Sequence, residues 1–229
     1  MKVEGDTARR RLVDVVLSGA LLLALAPVFV VVAIAVRLDS AGSVLYRAVR
    51  IGRDYEPFEM LKFRSMRADA DRIGAGVSGD DDARVTRVGR LLRATKLDEL
   101  PQLLNVLGGT MTLVGPRAES PQYVAHYLPS ERVLLTVRPG VTGPGQIDFT
   151  RRQAAELNGV ADADRYYVEH QLHDKLALDL QYVHDRSLRN DVAILLSTLA
   201  LVVAAVWRLT TRGLAPASCR EPGLARADR

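Results

Sequence analysis

The feature that most constrains this chain is an almost unbroken aliphatic run from Val15 to Val36, with arginines on both sides. The run is long enough to span a bilayer. It exceeds the apolar region of an ordinary signal peptide, and Ala33-Ile34-Ala35-Val36-Arg37 is a poor cleavage site. A simple spanning helix is disturbed by Pro27 near the middle, where proline removes a backbone hydrogen bond and breaks the helix at a cost of about 3 kcal/mol. It is also disturbed by positive charge on both flanks: Lys2, Arg9, Arg10 and Arg11 before, then Arg37, Arg47, Arg50 and Arg53 after. Positive flanks favour the cytoplasmic side, so both ends are expected there. A helix–break–helix hairpin that enters and leaves by one face, broken at Pro27, satisfies both constraints. We prefer it to a single span, although proline also occurs in spanning helices. Backbone at such a break must be satisfied locally, and Asp14 or packing against the globular part is expected to help.

A second apolar run, Val192 to Trp207, follows Arg186, Arg189 and Asn190 and precedes Arg208 and Arg212. It is short for a perpendicular span, and Trp207 beside two arginines reads as an interface anchor. The expected organisation is therefore a basic segment (1–11), a re-entrant membrane helix (12–37), a cytoplasmic domain (38–191), an interfacial or membrane-embedded helix (192–208) and a disordered tail (209–229). The charge balance, 31 Lys+Arg against 27 Asp+Glu, suits an anionic membrane surface or phosphorylated substrates. It is too weak and too scattered for nucleic acid. A lone Cys219 excludes a disulfide framework or Cys-based zinc site within one chain and fits a reducing compartment.

The middle of the chain predicts an α+β domain, small, mostly helical, with a short β-hairpin. Val44–Ile51 and Phe58–Ser65 are strand-like around a Gly52–Pro57 turn. Residues 69–82 read as a mobile acidic loop. Thr86 is placed to cap a helix over Arg87–Ala94. Thr112–Arg117 reads as a strand entering a tight turn. Glu119–His126 and Pro129–Val137 look helical, Arg138–Gly145 is a glycine/proline loop, and Ala161–Arg186 is a long polar helix or two in series. No internal repeat, G-x-G-x-x-G after a strand, or Walker A sequence is present, which argues against Rossmann and P-loop nucleotide sites.

The chemistry concentrates in Thr95-Lys96-Leu97-Asp98-Glu99-Leu100-Pro101-Gln102-Leu103. An acidic residue at a helix start is ordinarily a cap. Here a second acid follows, Pro101 fits a first helical turn, and Gly108-Gly109 offers the stop. Backbone donors and cations just upstream suit a phosphate or its metal. His170 and His173 read as solvated surface histidines rather than as a metal pair.

Several segments together resemble the bacterial sugar transferase family, the monotopic phosphoglycosyl transferases that start polysaccharide and glycoconjugate assembly on a lipid carrier. The resemblance runs from about Arg9 to Val203. It is carried by the apolar segment with its central proline, Lys62-Phe63-Arg64-Ser65-Met66, Thr86 to Arg93, Leu97-Asp98-Glu99-Leu100-Pro101-Gln102-Leu103, Leu113-Val114-Gly115-Pro116-Arg117, Arg138 to Gly143, and Asp179 through Ser187 to Asp191. Their order makes the set specific. Longer members carry further transmembrane helices ahead of this core, which this sequence does not contain.

The resemblance implies transfer of a sugar-1-phosphate from a UDP-sugar to a polyprenol phosphate, such as undecaprenyl phosphate, with release of UMP. It further implies Mg2+, a covalent phosphosugar–aspartate intermediate, and a bacterial cytoplasmic membrane with the catalytic domain facing the cytoplasm. Asp98 would be the nucleophile and Glu99 its metal-linked partner. Lys62, Arg64, Arg93, Arg117 and Arg138 would contact phosphate or substrate, and Gln146 and Arg151 would line the site. The residues agree with this allocation: a carboxylate attacks a pyrophosphate only when metal and fixed cations neutralise the developing charge. Neighbouring helical residues also face different ways, which suits two distinct roles. Each cation also has a plainer reading: a basic strand edge for Lys62 and Arg64, a helix-dipole partner for Arg93, a pair with Glu119 for Arg117, and a loop brace for Arg138. The chain departs from the family pattern at Ala118 after Arg117, at Ala26 before Pro27, and after Gly143, where the sugar-site loop differs. A non-catalytic membrane scaffold is the alternative function, and retention of Asp98, Glu99, Lys62 and Arg93 argues against it. No nucleic-acid partner is expected, and a homo-oligomer is left open.

Overall fold

In the computed structural model, residues 7–70, 76–77, 82–150, 154–157 and 160–212 are described. Thr7 opens the first helix, α1 (Ala8–Ala24), by accepting from Arg10 N at 3.3 Å. The chain breaks at Leu25 and continues as α2 (Ala26–Asp39), with Pro27 in its first turn. There a missing N–H costs nothing, while its ring would clash with a carbonyl four residues earlier in a continuous helix. The two arms are bent by 63°.

Both ends of this broken pair are fastened to the same globular body. Arg10 pairs with Asp191. Arg11 donates to Leu107 O at 2.7 Å, and Asp14 accepts from Thr112 Oγ1 at 2.7 Å and Leu113 N at 3.0 Å. At the far end Asp39 accepts from Val88 N at 3.0 Å, while Arg64 donates to Ser40 O at 2.6 Å and Ala41 O at 3.0 Å. The arginines at 10 and 11 therefore spend their donors on the fold itself, and Asp14 binds the start of β3 rather than the break, where Leu25 N–H is satisfied by Leu21 O.

Strands β1 (Leu45–Ile51) and β2 (Pro57–Phe63) pair antiparallel, Leu45 opposite Phe63 and Ile51 opposite Pro57. Helix α3 (Arg87–Thr95) is capped as expected, Thr86 Oγ1 accepting from Gly89 N at 3.0 Å. A 3-10 turn over Leu97–Glu99 follows, then α4 (Gln102–Gly108), which stops where Gly109 adopts φ +84°. The carboxylates thus sit in the turn ahead of the helix rather than in its first turn.

Strand β3 (Thr112–Val114) pairs in parallel with β4 (Gly140–Thr142). The glycine/proline loop of the sequence reading therefore contains a strand. Gly140 lets it form, since a Cβ there would lie 2.1 Å from Gly115 N. The segment expected helical over Glu119–His126 contracts to α5 (Pro121–Val124), and Glu131–Thr136 is 3-10. Helix α6 (Pro144–Asp148) leaves β4 directly. The long polar helix divides into α7 (Ala163–Tyr166), a π-helical turn over Tyr167–Gln171, and α8 (Leu172–His184).

The last helix, α9 (Leu188–Arg212), has 25 residues and begins ahead of the expected apolar run. Its stretch Leu188–Thr211, 24 residues with mean hydropathy 2.3 in the most apolar window, is long and apolar enough to cross a membrane. At 1.5 Å per residue it reaches roughly 36 Å, longer than the Val192–Trp207 run by itself. The polar start is accommodated because Asp191 is held by Arg10 and by Tyr182 Oη at 2.6 Å. The helix continues through 209–212; the rest of the expected tail, most of the acidic loop and Arg151 lie outside the described residues.

The main core joins β2, α4, β3 and α8 through Met60, Val106, Met111, Leu113, Tyr167, Leu172 and Leu176. A second cluster sets Val32 and Val36 of α2 against Phe63 and Leu92, with Leu97 and Leu100 packed on it. Those two leucines flank Asp98 and Glu99, so the apolar arm α2 forms the floor of the acidic turn.

Candidate active site

Lys96 ends α3 in the left-handed conformation, φ 60°. That reversal turns the chain at once into the Leu97–Glu99 turn, where Leu97 packs with the α2 cluster while Glu99 reaches Lys62 of β2 and Arg117 in the loop after β3. Asp98 is buried, and its Oδ1 accepts no hydrogen bond. Burial, followed by repulsion from Glu99, raises its carboxyl above the usual range, against the pull of Lys62, Lys96 and Arg93. A carboxylate kept in this state is more basic than a solvated one.

Glu99 is its opposite. Its Oε1 accepts from Arg117 Nη2 at 2.8 Å and Lys62 Nζ at 3.4 Å. Its Oε2 accepts from Arg117 Nη1 at 3.0 Å and Gln146 Nε2 at 3.0 Å. Burial pushes Glu99 upward, but Arg117, Lys62 and Lys96 outweigh it and hold the group well below the usual range. The neighbouring acids are thus driven apart, one firmly ionised and the other raised, the arrangement expected of two carboxylates with different tasks. Lys62 is lowered to about 8, mainly by burial and also by Arg117, with Glu99 opposing.

The structure brings together Asp98, Glu99, Lys62, Arg117 and Gln146, and adds Arg93 from the last turn of α3 as a charge acting on Asp98. Two expected cations serve elsewhere. Arg64 is buried and bound to Ser40 and Ala41 at the end of α2; the strand ends at Phe63, so it does not share a face with Lys62. Arg138 donates from Nε to Gly109 O at 2.7 Å, bracing the end of α4. Arg117 pairs with Glu99 instead of Glu119, whose carboxylate is taken by Lys175 and, at 2.9 Å, Tyr167 Oη.

Mg2+ fits through Asp98, the acid whose buried Oδ1 lacks a hydrogen-bond partner. Glu99 does not fit as a ligand, because four donors already occupy it; it anchors the cations. Among the described residues no group of three His, Cys, Asp or Glu forms a cage, and Mg2+ commonly needs only one or two carboxylates beside substrate phosphates.

Sequence reasoning passed over Gln102 and Asp179 as individual residues, though both lie in quoted segments. Each is fully buried. The available signal was a polar residue at a helical position facing the core, four residues after Asp98 in one case and amid Leu176, Tyr182 and Val183 in the other.

The family model of bacterial sugar transferases matches residues 5–205. The UDP-glucose:undecaprenyl-phosphate glucose-1-phosphate transferase of Caulobacter vibrioides is 38% identical over 83% of this chain and 68% of its own length. The undecaprenyl-phosphate glucose phosphotransferase of Komagataeibacter xylinus is 40% identical over 86% of the chain, which spans 36% of that protein. The exopolysaccharide production protein PSS of Rhizobium leguminosarum bv. phaseoli is 36% identical over 85% of the chain and 94% of its own length. With most of its length matched in one register, the chain belongs to the bacterial sugar transferase family.

Proposed function

We propose that this protein transfers a sugar-1-phosphate from a UDP-sugar to undecaprenyl phosphate, with Asp98 as nucleophile. The observation that carries the reading is a buried carboxylate whose Oδ1 accepts no hydrogen bond, beside a second one clamped by Arg117, Lys62 and Gln146. The names of the relatives supply the substrate classes.

An Asp98 oxygen attacks the sugar-bearing phosphorus of the donor. An O–P bond forms, the bond from that phosphorus to the bridging oxygen breaks, and UMP leaves with the electron pair. An oxygen of the lipid phosphate then attacks the same phosphorus, and Asp98 departs as a carboxylate. Arg117 and Lys62, held by Glu99, and Arg93 neutralise charge on the transferred group. Mg2+, held by Asp98, would supply further neutralisation of the pyrophosphate.

The lipid acceptor requires that the site lie at a bilayer surface. Support comes from α2 packed beneath the acidic turn, from both ends of the broken pair fastened to one body, and from the length of α9. In this reading α1 and α2 enter and leave the cytoplasmic leaflet, and the catalytic domain faces the cytoplasm. The test is UMP release from UDP-sugars and undecaprenyl phosphate by the membrane-embedded protein. Turnover is expected to stop with EDTA, return with Mg2+, and vanish in Asp98→Asn; a fully active Asp98→Asn enzyme contradicts the assignment.

A further inference from the structure

Asp179 reaches the charge cluster from behind, without touching it. It lies on α8 with no exposed surface. Its Oδ1 accepts from Gly145 N at 3.0 Å and its Oδ2 from Arg117 N at 3.2 Å. Arg117 lies in the loop after the parallel strand β3, and Gly145 in the first turn of α6, the helix that follows β4. Arg117 itself, and Gln146 immediately after Gly145, are the residues whose side chains close on Glu99. One carboxylate therefore joins, through the backbone, both segments that grip Glu99.

The local packing is built around this contact. A Cβ on Gly145 would lie 2.9 Å from Asp179 Oδ1 and 2.7 Å from Lys175 O, so only glycine allows the approach. Two converging N–H donors need two acceptors. Asparagine offers one acceptor and turns an N–H2 toward the other donor. The charged groups acting on Asp179 are Lys175, which favours its ionised form, and Glu119, which opposes it; both are engaged with each other and with Tyr167. Burial raises the Asp179 carboxyl to about 6, so the fold maintains an acid where a neutral residue would be less costly to bury.

We propose that Asp179 is a positioning residue for phosphosugar transfer: by gripping the loop after β3 and the start of α6 it aligns Arg117 and Gln146 on Glu99. The proposal rests on the transferase reading above, because alignment of that clamp matters only if a phosphoryl group is transferred there.

The experiment uses the full chain in membranes or detergent and compares wild type, Asp179→Asn, Gln146→Ala and the double variant. In Asp179→Asn, kcat for UMP release should fall about 10- to 100-fold, the equivalent of one hydrogen bond to a charged group. KM for the donor should change far less, because the clamp acts on charge developing in the transition state. The double variant should fall by clearly less than the product of the single effects, since both act through one contact. Amide hydrogen exchange in peptides covering 113–120 and 143–150 should quicken about tenfold or more, and that over β1 and β2 should stay unchanged. An unchanged kcat, fully multiplicative losses, or unaltered exchange in those peptides would each overturn the proposal. Wild-type protein that releases no UMP would sink the transferase reading instead, and the exchange result would then decide the grip by itself.

Discussion

At the scale of single residues, function and stability pull in different directions around the acidic turn. Lys62 is lowered to about 8 by burial, from 10.5 in the unfolded chain. As pH rises through 8 the site loses a cation, so UMP release should decline with an apparent pKa near 8. The sign for folding is opposite: a lysine whose folded value is depressed is a burden while charged, so its contribution improves between about pH 8 and 10.5. A pH–rate profile set against thermal inactivation over that window separates the two; activity flat to pH 10 contradicts the role of Lys62. Lys96 behaves similarly, because its left-handed backbone costs about 1 kcal/mol while its charge favours ionised Asp98 and Glu99. Lys96→Gly should leave stability unchanged or raise it by about that amount, yet lower kcat. A fall in both melting midpoint and rate would show that Lys96 is purely structural. The sequence singled out Asp98 and Glu99 through the paired acids ahead of a helix, and Lys62 only through the family resemblance; the structure brings the three together. The sequence concealed the destinations of Arg64 and Arg138, since a guanidinium that braces a carbonyl looks the same in sequence as one that meets a phosphate.

At the scale of elements, the site is a joint between α3 and α4 laid on α2. Leu92, Val32, Val36 and Phe63 form the bearing surface, with Leu97 and Leu100 folded onto it. Leu92→Ala should lower stability by about 2–4 kcal/mol, measurable as loss of thermal midpoint, and should loosen the turn enough to reduce turnover. A change below about 0.5 kcal/mol, the usual range for an exposed position, would mean that the cluster carries little weight. Local signals were legible: the Thr86 cap, the β-hairpin, and Gly109 as a helix stop were all read from short patterns. The β3–β4 pair was not, because parallel strands depend on partners distant in sequence and Gly140 disguises a strand as a loop. The length of α9 was also concealed. Asp191 looks like a boundary until Arg10 and Tyr182 are seen to neutralise it.

At the scale of the whole molecule, two apolar elements carry a charged domain whose acidic turn lies against one of them. The N-terminal pair is tied down at both ends, by Arg10, Arg11 and Asp14 on one side and Asp39 and Ser40 on the other. Those ties support the re-entrant course proposed above. In a Cys219→Ser background, cysteines introduced at Gly5 and Ser43 should label from the same membrane face; labelling from opposite faces contradicts the hairpin. The proposed transfer chemistry turns on Asp98. Incubating the protein with UDP-sugar and Mg2+ but no lipid acceptor, then quenching and analysing peptides over 97–104 by mass spectrometry, tests it most directly. The account predicts a sugar-phosphate mass added to Asp98, abolished in Asp98→Asn and discharged by undecaprenyl phosphate. Under conditions of demonstrated turnover, an unmodified Asp98 or an adduct on another residue would contradict it.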